Sequence, residues 1–365
     1  MNRNLRAEVL SLIGVGILAV LLFLYFKTQS ESSRFSVQTQ QRPELIIATY
    51  QSWVTEGSLG AEIIPVFEAR HACKVRVMTA SDAGSVVSRL EFDAKRHQAL
   101  QPHLVVGIDQ YLWSRALPWA EAWSDDPPEG YSKVPTAVRV SPGFFPYAVS
   151  SLAFMSDRTA LKLRDLSPPQ SLMDLLRPEW RRQLLIEDPR TSTPGLVFLL
   201  YTFQPLGEQQ AIHFWKGLRE QWLTLPPTWS AAYSLFLRKQ APLVWTYVSS
   251  QAYHQKEQQP QYQILNFREG QPLQIEGAFL VKHVSVHPQQ RELAKKFLEF
   301  LISKEVQEKV PDRNWMFPVR KEVALPPAYQ GIPHPLSQPH IPLSLDASEM
   351  KKILILWREA VGAGR

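Results

Sequence analysis

Short apolar runs alternate along the chain with stretches in which apolar residues recur every three or four positions. Leu45-Ile46-Ile47-Ala48-Thr49-Tyr50 reads as a buried first strand, followed by a Gly-containing loop to Gly60. A helix is predicted over 61–69, with Ile63, Ile64 and Phe67 on one face. Residues 74–78 alternate as a strand, and Asp82-Ala83-Gly84-Ser85 then opens a helix through Val86, Val87 and Leu90. The buried strand 104–108 runs into Asp109, with a helix expected over 111–115. Strand, helix, strand, helix is the signature of a parallel sheet covered on both faces. Ligands of such sheets bind beyond the carboxyl ends of the strands. Tyr50, Asp82 and Asp109 each follow a strand end, which predicts one shared crevice. Taken singly, Asp82 reads equally as a helix cap and Tyr50 as a core residue.

From 141 to 156 a Pro- and aromatic-rich segment is expected to cross to a second α/β lobe. Ser167–Ser171 precedes a short helix over 172–176, and Leu184-Leu185-Ile186 reads as a strand. Helices are expected through Phe198 and Tyr201, over 211–220 and over 229–237, and a strand over 243–247 ends in Ser249-Ser250. The chain is expected to return to the first lobe near 273–276. Pro288 then opens a helix with Leu293, Phe297 and Leu301 on one stripe. A Pro-rich crossing follows over 325–342, and Asp346-Ala347-Ser348-Glu349 signals the cap of a last amphipathic helix ending near Ala360. The resulting division is residues 44–145 plus about 274–322 in one lobe and 146–273 in the other, with 323–365 as the C-terminal crossing and helix.

The first residues change the compartment. Arg3 and Arg6 precede an apolar run from Val9 to Phe26, close to the length that crosses a bilayer. No convincing small-x-small site follows, so residues 1–28 read as an uncleaved signal anchor with its amino end in the cytoplasm; a cleaved signal peptide is the alternative. Residues 29–43 read as a flexible polar tether. The chain is therefore expected in the periplasm, held at the inner membrane. Cys73 is the single cysteine among 365 residues, so the fold rests on its core without an intrachain disulfide. The net charge of +6 is dispersed, and pairs such as Arg181-Arg182 fall short of a nucleic-acid patch.

The candidate chemistry centres on Asp188-Pro189-Arg190-Thr191-Ser192-Thr193-Pro194-Gly195, a hydroxyl-rich turn between a strand and an apolar helix. The free amides of such a helix start attract anions or polar ligand atoms, although an ordinary capped helix without a ligand fits the short motif as well. Three later stretches carry aromatic residues of a matching kind: Thr228-Trp229-Ser230-Ala231-Ala232-Tyr233, Trp245 to His254, and Asn314-Trp315-Met316-Phe317-Pro318.

Together with the turn, these motifs resemble the thiamine-binding periplasmic proteins of ABC importers, in order and at similar spacing from about Leu45 to Val319. The resemblance implies an α/β, two-lobed periplasmic-binding-protein fold of type II. It implies a monomeric receptor for thiamine, or its mono- or diphosphate, that serves an ABC permease without a cofactor, a metal or enzymatic activity. It carries over Asp82, Ala83, Ser192, Thr193, Trp229, Tyr247, Val248, Ser249 and Ser250 as ligand contacts, with Tyr50, Tyr253 and Trp315 as second choices. The chain departs from the family pattern at Gln51, where an acid is expected, and at Ala148-Val149-Ser150-Ser151, where an acid and an aromatic are lost. A ferric-ion receptor of like architecture is a second reading, weakened by the lack of a Tyr-Tyr pair. An enzyme acting on a thiamine-like compound is a third, with Cys73, Ser192 or His254 as its only nucleophile or base.

Overall fold

The computed structural model describes residues 42–96, 101–123, 127–282, 287–337, 340–341 and 346–362. The chain divides into residues 1–42 and 43–365, and the fold described is that of the second unit. The expected anchor and nearly all of the tether lie outside the described residues; among those described, no helix is long and apolar enough to cross a membrane.

The first strands follow the apolar runs. β1 (Glu44–Tyr50) pairs in parallel with β2 (Lys74–Ala80) on one side and with β3 (Leu104–Asp109) on the other. Their crossovers are the helices α1 (Leu59–His71) and α2 (Ala83–Lys95). All six residues of β3 are buried, as expected of a strand covered on both faces. Asp109 then caps α3 (Gln110–Ala116).

The crossing segment is itself a strand. β4 (Phe145–Asp157) is buried along its whole length, which is why its sequence lacks the alternation of a half-exposed strand. Beyond it come β5 (Leu184–Leu185), β6 (Trp222–Thr224), β7 (Leu243–Tyr247), β8 (Tyr262–Ile264) and β9 (Gln271–Leu280). The first half of β4 pairs antiparallel with β9, which pairs antiparallel with β3; its second half pairs with β7 and β8. The strand order is β2-β1-β3-β9-β4-β7-β5-β6. β4 and β9 thus join a first core, with Leu45, Phe67, Leu104, Phe145 and Phe297, to a second, with Phe154, Trp180, Phe198, Trp215 and Trp245.

The two helices expected near Phe198 and over 211–220 are both present and together make up α4 (Thr193–Leu218); the non-helical backbone of Gly207 (φ 71, ψ 167), just after Pro205, separates them. The short helix over 172–176 is a 3-10 turn, Met173–Leu176. α5 (Trp229–Leu237) and α6 (Ser250–Lys256) follow the sequence closely. So does α7 (Pro288–Leu301), whose stripe Leu293, Phe297 and Leu301 enters the first core. In the last helix, α8 (Ala347–Gly362), Asp346 accepts from the amides of Ser348 and Glu349, and Met350, Ile353 and Trp357 join the second core.

Candidate ligand-binding site

Where the carboxyl ends of β1, β2 and β3 meet the starts of α4 and α5 lies a cavity of ≈ 260 Å³. Its lining includes Tyr50, Asp82, Ala83, Gly107 and Asp109 from the first-core side, and Thr193, Pro194, Trp229, Tyr247 and Ser250 from the second-core side. Gln274 and Glu276 of β9 and Arg313 to Met316 complete it. A short strand, β10 (Phe317–Pro318), sets that last segment by pairing with Ala148 and Val149 of β4.

The crevice expected from Tyr50, Asp82 and Asp109 is therefore present, and the two readings of Asp82 hold together. Asp82 caps α2, accepting from the Ala83 amide at 2.7 Å, while its part-exposed carboxylate lines the cavity. The amides of Thr193 and Trp229 and the Ser192 hydroxyl face it from the other side of the cavity. Desolvation nevertheless pushes its pKa up to about 7, against those groups. Asp109 is buried and caps α3, accepting from the amides of Tyr111 at 2.9 Å and Leu112 at 3.1 Å. Desolvation lifts it to about 7 as well, opposed by the Leu112 amide and the Thr193 hydroxyl.

A third carboxylate was absent from the sequence-derived set. Glu276 accepts from the hydroxyls of Tyr50 and Tyr147, each at 2.6 Å, and from Asn314 Nδ2 at 3.1 Å. Burial raises its pKa, and the three donors work against the rise. Burial and the nearby Glu276 charge hold the Tyr50 and Tyr147 hydroxyls protonated, far above the usual phenol range. Gln274 bridges the cavity wall by donating to Asp109 at 3.3 Å and to the Tyr247 hydroxyl at 3.2 Å. One signal could have found both β9 residues: polar Gln274 and Glu276 alternate with apolar neighbours in a strand that is otherwise buried and apolar.

The aromatic walls are fixed from behind. Trp229 stacks on Tyr233 at 4.8 Å, meets Tyr247 edge-on at 5.9 Å, and donates its indole N–H to Thr246 Oγ1 at 2.9 Å. Trp315 adopts a left-handed backbone, φ 50, unusual for a bulky residue, and its ring meets Tyr253 edge-on at 5.1 Å.

Of the carried-over residues, Tyr50, Asp82, Ala83, Thr193, Trp229, Tyr247, Ser250 and Trp315 line the cavity. Ser192 lies one residue behind the lining, with its hydroxyl turned to Asp82. Ser249 is buried against the Ser150 hydroxyl at 2.9 Å, and Val248 donates its amide to the Ser151 carbonyl at 2.8 Å; both brace β4. Tyr253 backs Trp315. Tyr233 donates to or accepts from His254 Nε2 at 2.7 Å, behind the wall. Neither His254 nor Cys73 lines the cavity. The hydroxyls of Ser192 and Thr193 are buried and lean toward Asp82 and Asp109 without meeting full hydrogen-bond geometry with either. Among the described residues, no three His, Cys, Asp or Glu side chains come together as metal ligands.

The arrangement offers two distinct ends. Around Asp82 it gathers amides and hydroxyls at two helix starts, suited to oxygen atoms. Around Glu276 it offers a carboxylate and ring faces, suited to a cation.

Comparison with known proteins shows which chains this one is similar to in sequence and fold. The sequence pattern described as bacterial extracellular solute-binding protein matches residues 130–334. The thiamine-binding periplasmic protein of Salmonella typhimurium is 32% identical over 321 residues, covering 88% of this chain and 94% of its own. That of Brucella abortus is 34% identical over 304 residues, covering 81% and 85%. A solved periplasmic thiamin binding protein superimposes with a TM-score of 0.76 at 30% identity, covering 88% of this chain and 96% of that one. Solved ferric-ion-binding proteins share the fold alone, at 14–19% identity.

Proposed function

The chain belongs to the bacterial extracellular solute-binding protein family, beside the thiamine-binding periplasmic proteins, and from that premise we propose that it captures thiamine or a thiamine phosphate in this cavity for an ABC importer. The observation that carries the reading is the convergence of Tyr50, Trp229, Tyr247 and Trp315 with the carboxylates of Asp82, Asp109 and Glu276 on one small cavity. Thiamine joins a permanently cationic thiazolium to an aminopyrimidine and ends in a hydroxyethyl group. Each aromatic face that meets such a cation contributes on the order of 0.5–2 kcal/mol, rising as water is excluded. The hydroxyls and amides at Asp82 suit the oxygen-bearing end.

Capture in this reading is a hinge motion of a type II two-lobed receptor. The lobe around the first core supplies Tyr50, Asp82 and Ala83; the lobe around the second supplies Thr193, Trp229 and Tyr247. A ligand that touches both stabilises the closed form. Residues 1–43 would keep the receptor at the membrane, near its permease, as a monomer. In this reading the protein binds and releases its ligand unchanged.

Titration of the folded protein with thiamine, followed by tryptophan fluorescence and calorimetry, tests the proposal. Saturation at micromolar ligand or below is expected, and mass spectrometry should recover thiamine intact. A folded protein that gives no response at about 100 µM, roughly 100-fold above a micromolar dissociation constant, would remove it.

A further inference from the structure

Two breaks in sheet register fall at the same place. β3 and β9 lose register between Val106 and Ile108, at Gly107; β4 and β9 lose it between Pro146 and Ala148, at Tyr147. On β9 the first break falls opposite Gly277-Ala278 and the second opposite Glu276-Gly277, so the two meet at Gly277, next to Glu276. An extra residue in a strand bends it and re-aims side chains, and such breaks recur beside functional sites.

Here both breaks serve one carboxylate. The displaced Tyr147 directs its hydroxyl onto Glu276 Oε1. Gly107, at φ 87, leaves open the space that the Tyr50 ring occupies, and Tyr50 donates to the same oxygen. A methyl group on Gly107 would overlap that ring and lie 3.3 Å from Glu276 Oε1. Asn314 holds the other oxygen. These donors are all neutral, and no cationic side chain among the described residues pairs with Glu276.

The other two acids differ. Asp82 and Asp109 each cap a helix, so a helix dipole offsets part of their charge, although burial still raises both. Glu276 sits in a strand, only 4% exposed, and meets no positive end. A carboxylate desolvated without a cation gains most from one brought to it.

We propose that Glu276 is the residue that selects for positive charge: it pairs with the cationic ring of the ligand and so sets which way round the ligand lies, with the oxygen-bearing tail toward Asp82. The assignment rests on the cavity being a thiamine site, and it names a specificity determinant that the family motifs do not include.

The test compares thiamine with thiochrome, its uncharged, fluorescent ring-closed oxidation product, on the wild type and on Glu276→Gln. The substituted amide is close in size and still accepts from the tyrosines. The wild type should favour thiamine over thiochrome at least 30-fold. Glu276→Gln should lose at least 10-fold in thiamine affinity, change less than 3-fold toward thiochrome, and melt within a few degrees of the wild type. A thiamine loss under 3-fold overturns the proposal, as does an equal loss for both probes, which would mark a role in shape alone. Should Glu276→Gln fail to fold, the wild-type preference decides, and no preference for the charged probe overturns the assignment. A wild type that binds thiochrome but not thiamine overturns both this assignment and the receptor reading. Tight thiamine binding that Glu276→Gln leaves unchanged overturns the assignment alone.

Discussion

At Gly84, α2 closely approaches the turn before α4, beside the cavity. This glycine is the second residue of α2, and a β-carbon built there would lie 2.9 Å from the carbonyl oxygen of Thr191, in the turn before α4. Its backbone is helical, so alanine strains nothing locally and, if anything, favours the helix by up to ~1 kcal/mol. The opposing atom is backbone and cannot rotate away. Gly84→Ala should therefore act on closure alone. Overpacking of this kind costs about 1–3 kcal/mol, or roughly 5- to 150-fold in affinity at 1.4 kcal/mol per factor of ten. Calorimetry with thiamine should show that loss. A thermal melt without ligand should be unchanged or slightly raised, and the ligand-induced rise in Tm should shrink. Wild-type affinity in Gly84→Ala would refute the reasoning, because the Thr191 contact would then have no part in the ligand-bound form. A fall in the unliganded melting temperature parallel to the affinity loss would refute it too, by placing the contact in the fold itself.

Further outcomes follow from the same geometry. Trp229→Ala removes the ring that meets both Tyr233 and Tyr247 and should weaken thiamine binding by one to two powers of ten, on the order of 1.5–3 kcal/mol, whereas Trp229→Phe should recover part of it; fluorescence titration separates the two. Gly107→Ala meets both a left-handed backbone, φ 87, and the Tyr50 ring, so a loss of about 2–5 kcal/mol in unfolding free energy is expected from strain and overpacking together; an unaltered denaturant midpoint would contradict it. Burial raises Asp109 from 3.8 to about 7, so its folded form holds a proton that the unfolded chain has released. That contribution to stability is complete below about pH 4 and lost as pH climbs to about 7, and Asp109→Asn should flatten this part of the pH profile of Tm. Thiamine favours the ionised carboxylates, so its binding should tighten as pH rises through 7, with proton release detectable by calorimetry in buffers of different ionisation enthalpy.

Local patterns were enough for most of the elements. Residues 45–48 and 104–108 carry no polar side chain, and a run of that length in an extended segment has one stable use, a strand buried on both faces. Asp82 and Asp109 could be placed because a cap, a strand end and a crevice coincide in a parallel sheet. Trp229, Tyr247 and Thr193 were identifiable through motifs whose residues lie within a few positions of each other. Local signals failed where the structure depends on partners remote in sequence. β4 reads from sequence only as a Pro- and aromatic-rich crossing, because a strand buried against β9, β7 and β8 needs no alternation of its own. Glu276 lies 226 residues from Tyr50 and 129 from Tyr147, and only the pairing of β9 with β3 and β4, broken at Gly107 and Tyr147, makes the three one unit. Ser249 and Val248 share a motif with Ser250, yet the turn between β7 and α6 directs them to β4 and not to the cavity. The sequence by itself thus determined which residues could bind a flat cation, since ring, hydroxyl and carboxylate chemistry is local. The tertiary structure decided which of them face one another, because that depends on sheet register, and register is set by pairing between strands that the chain places far apart.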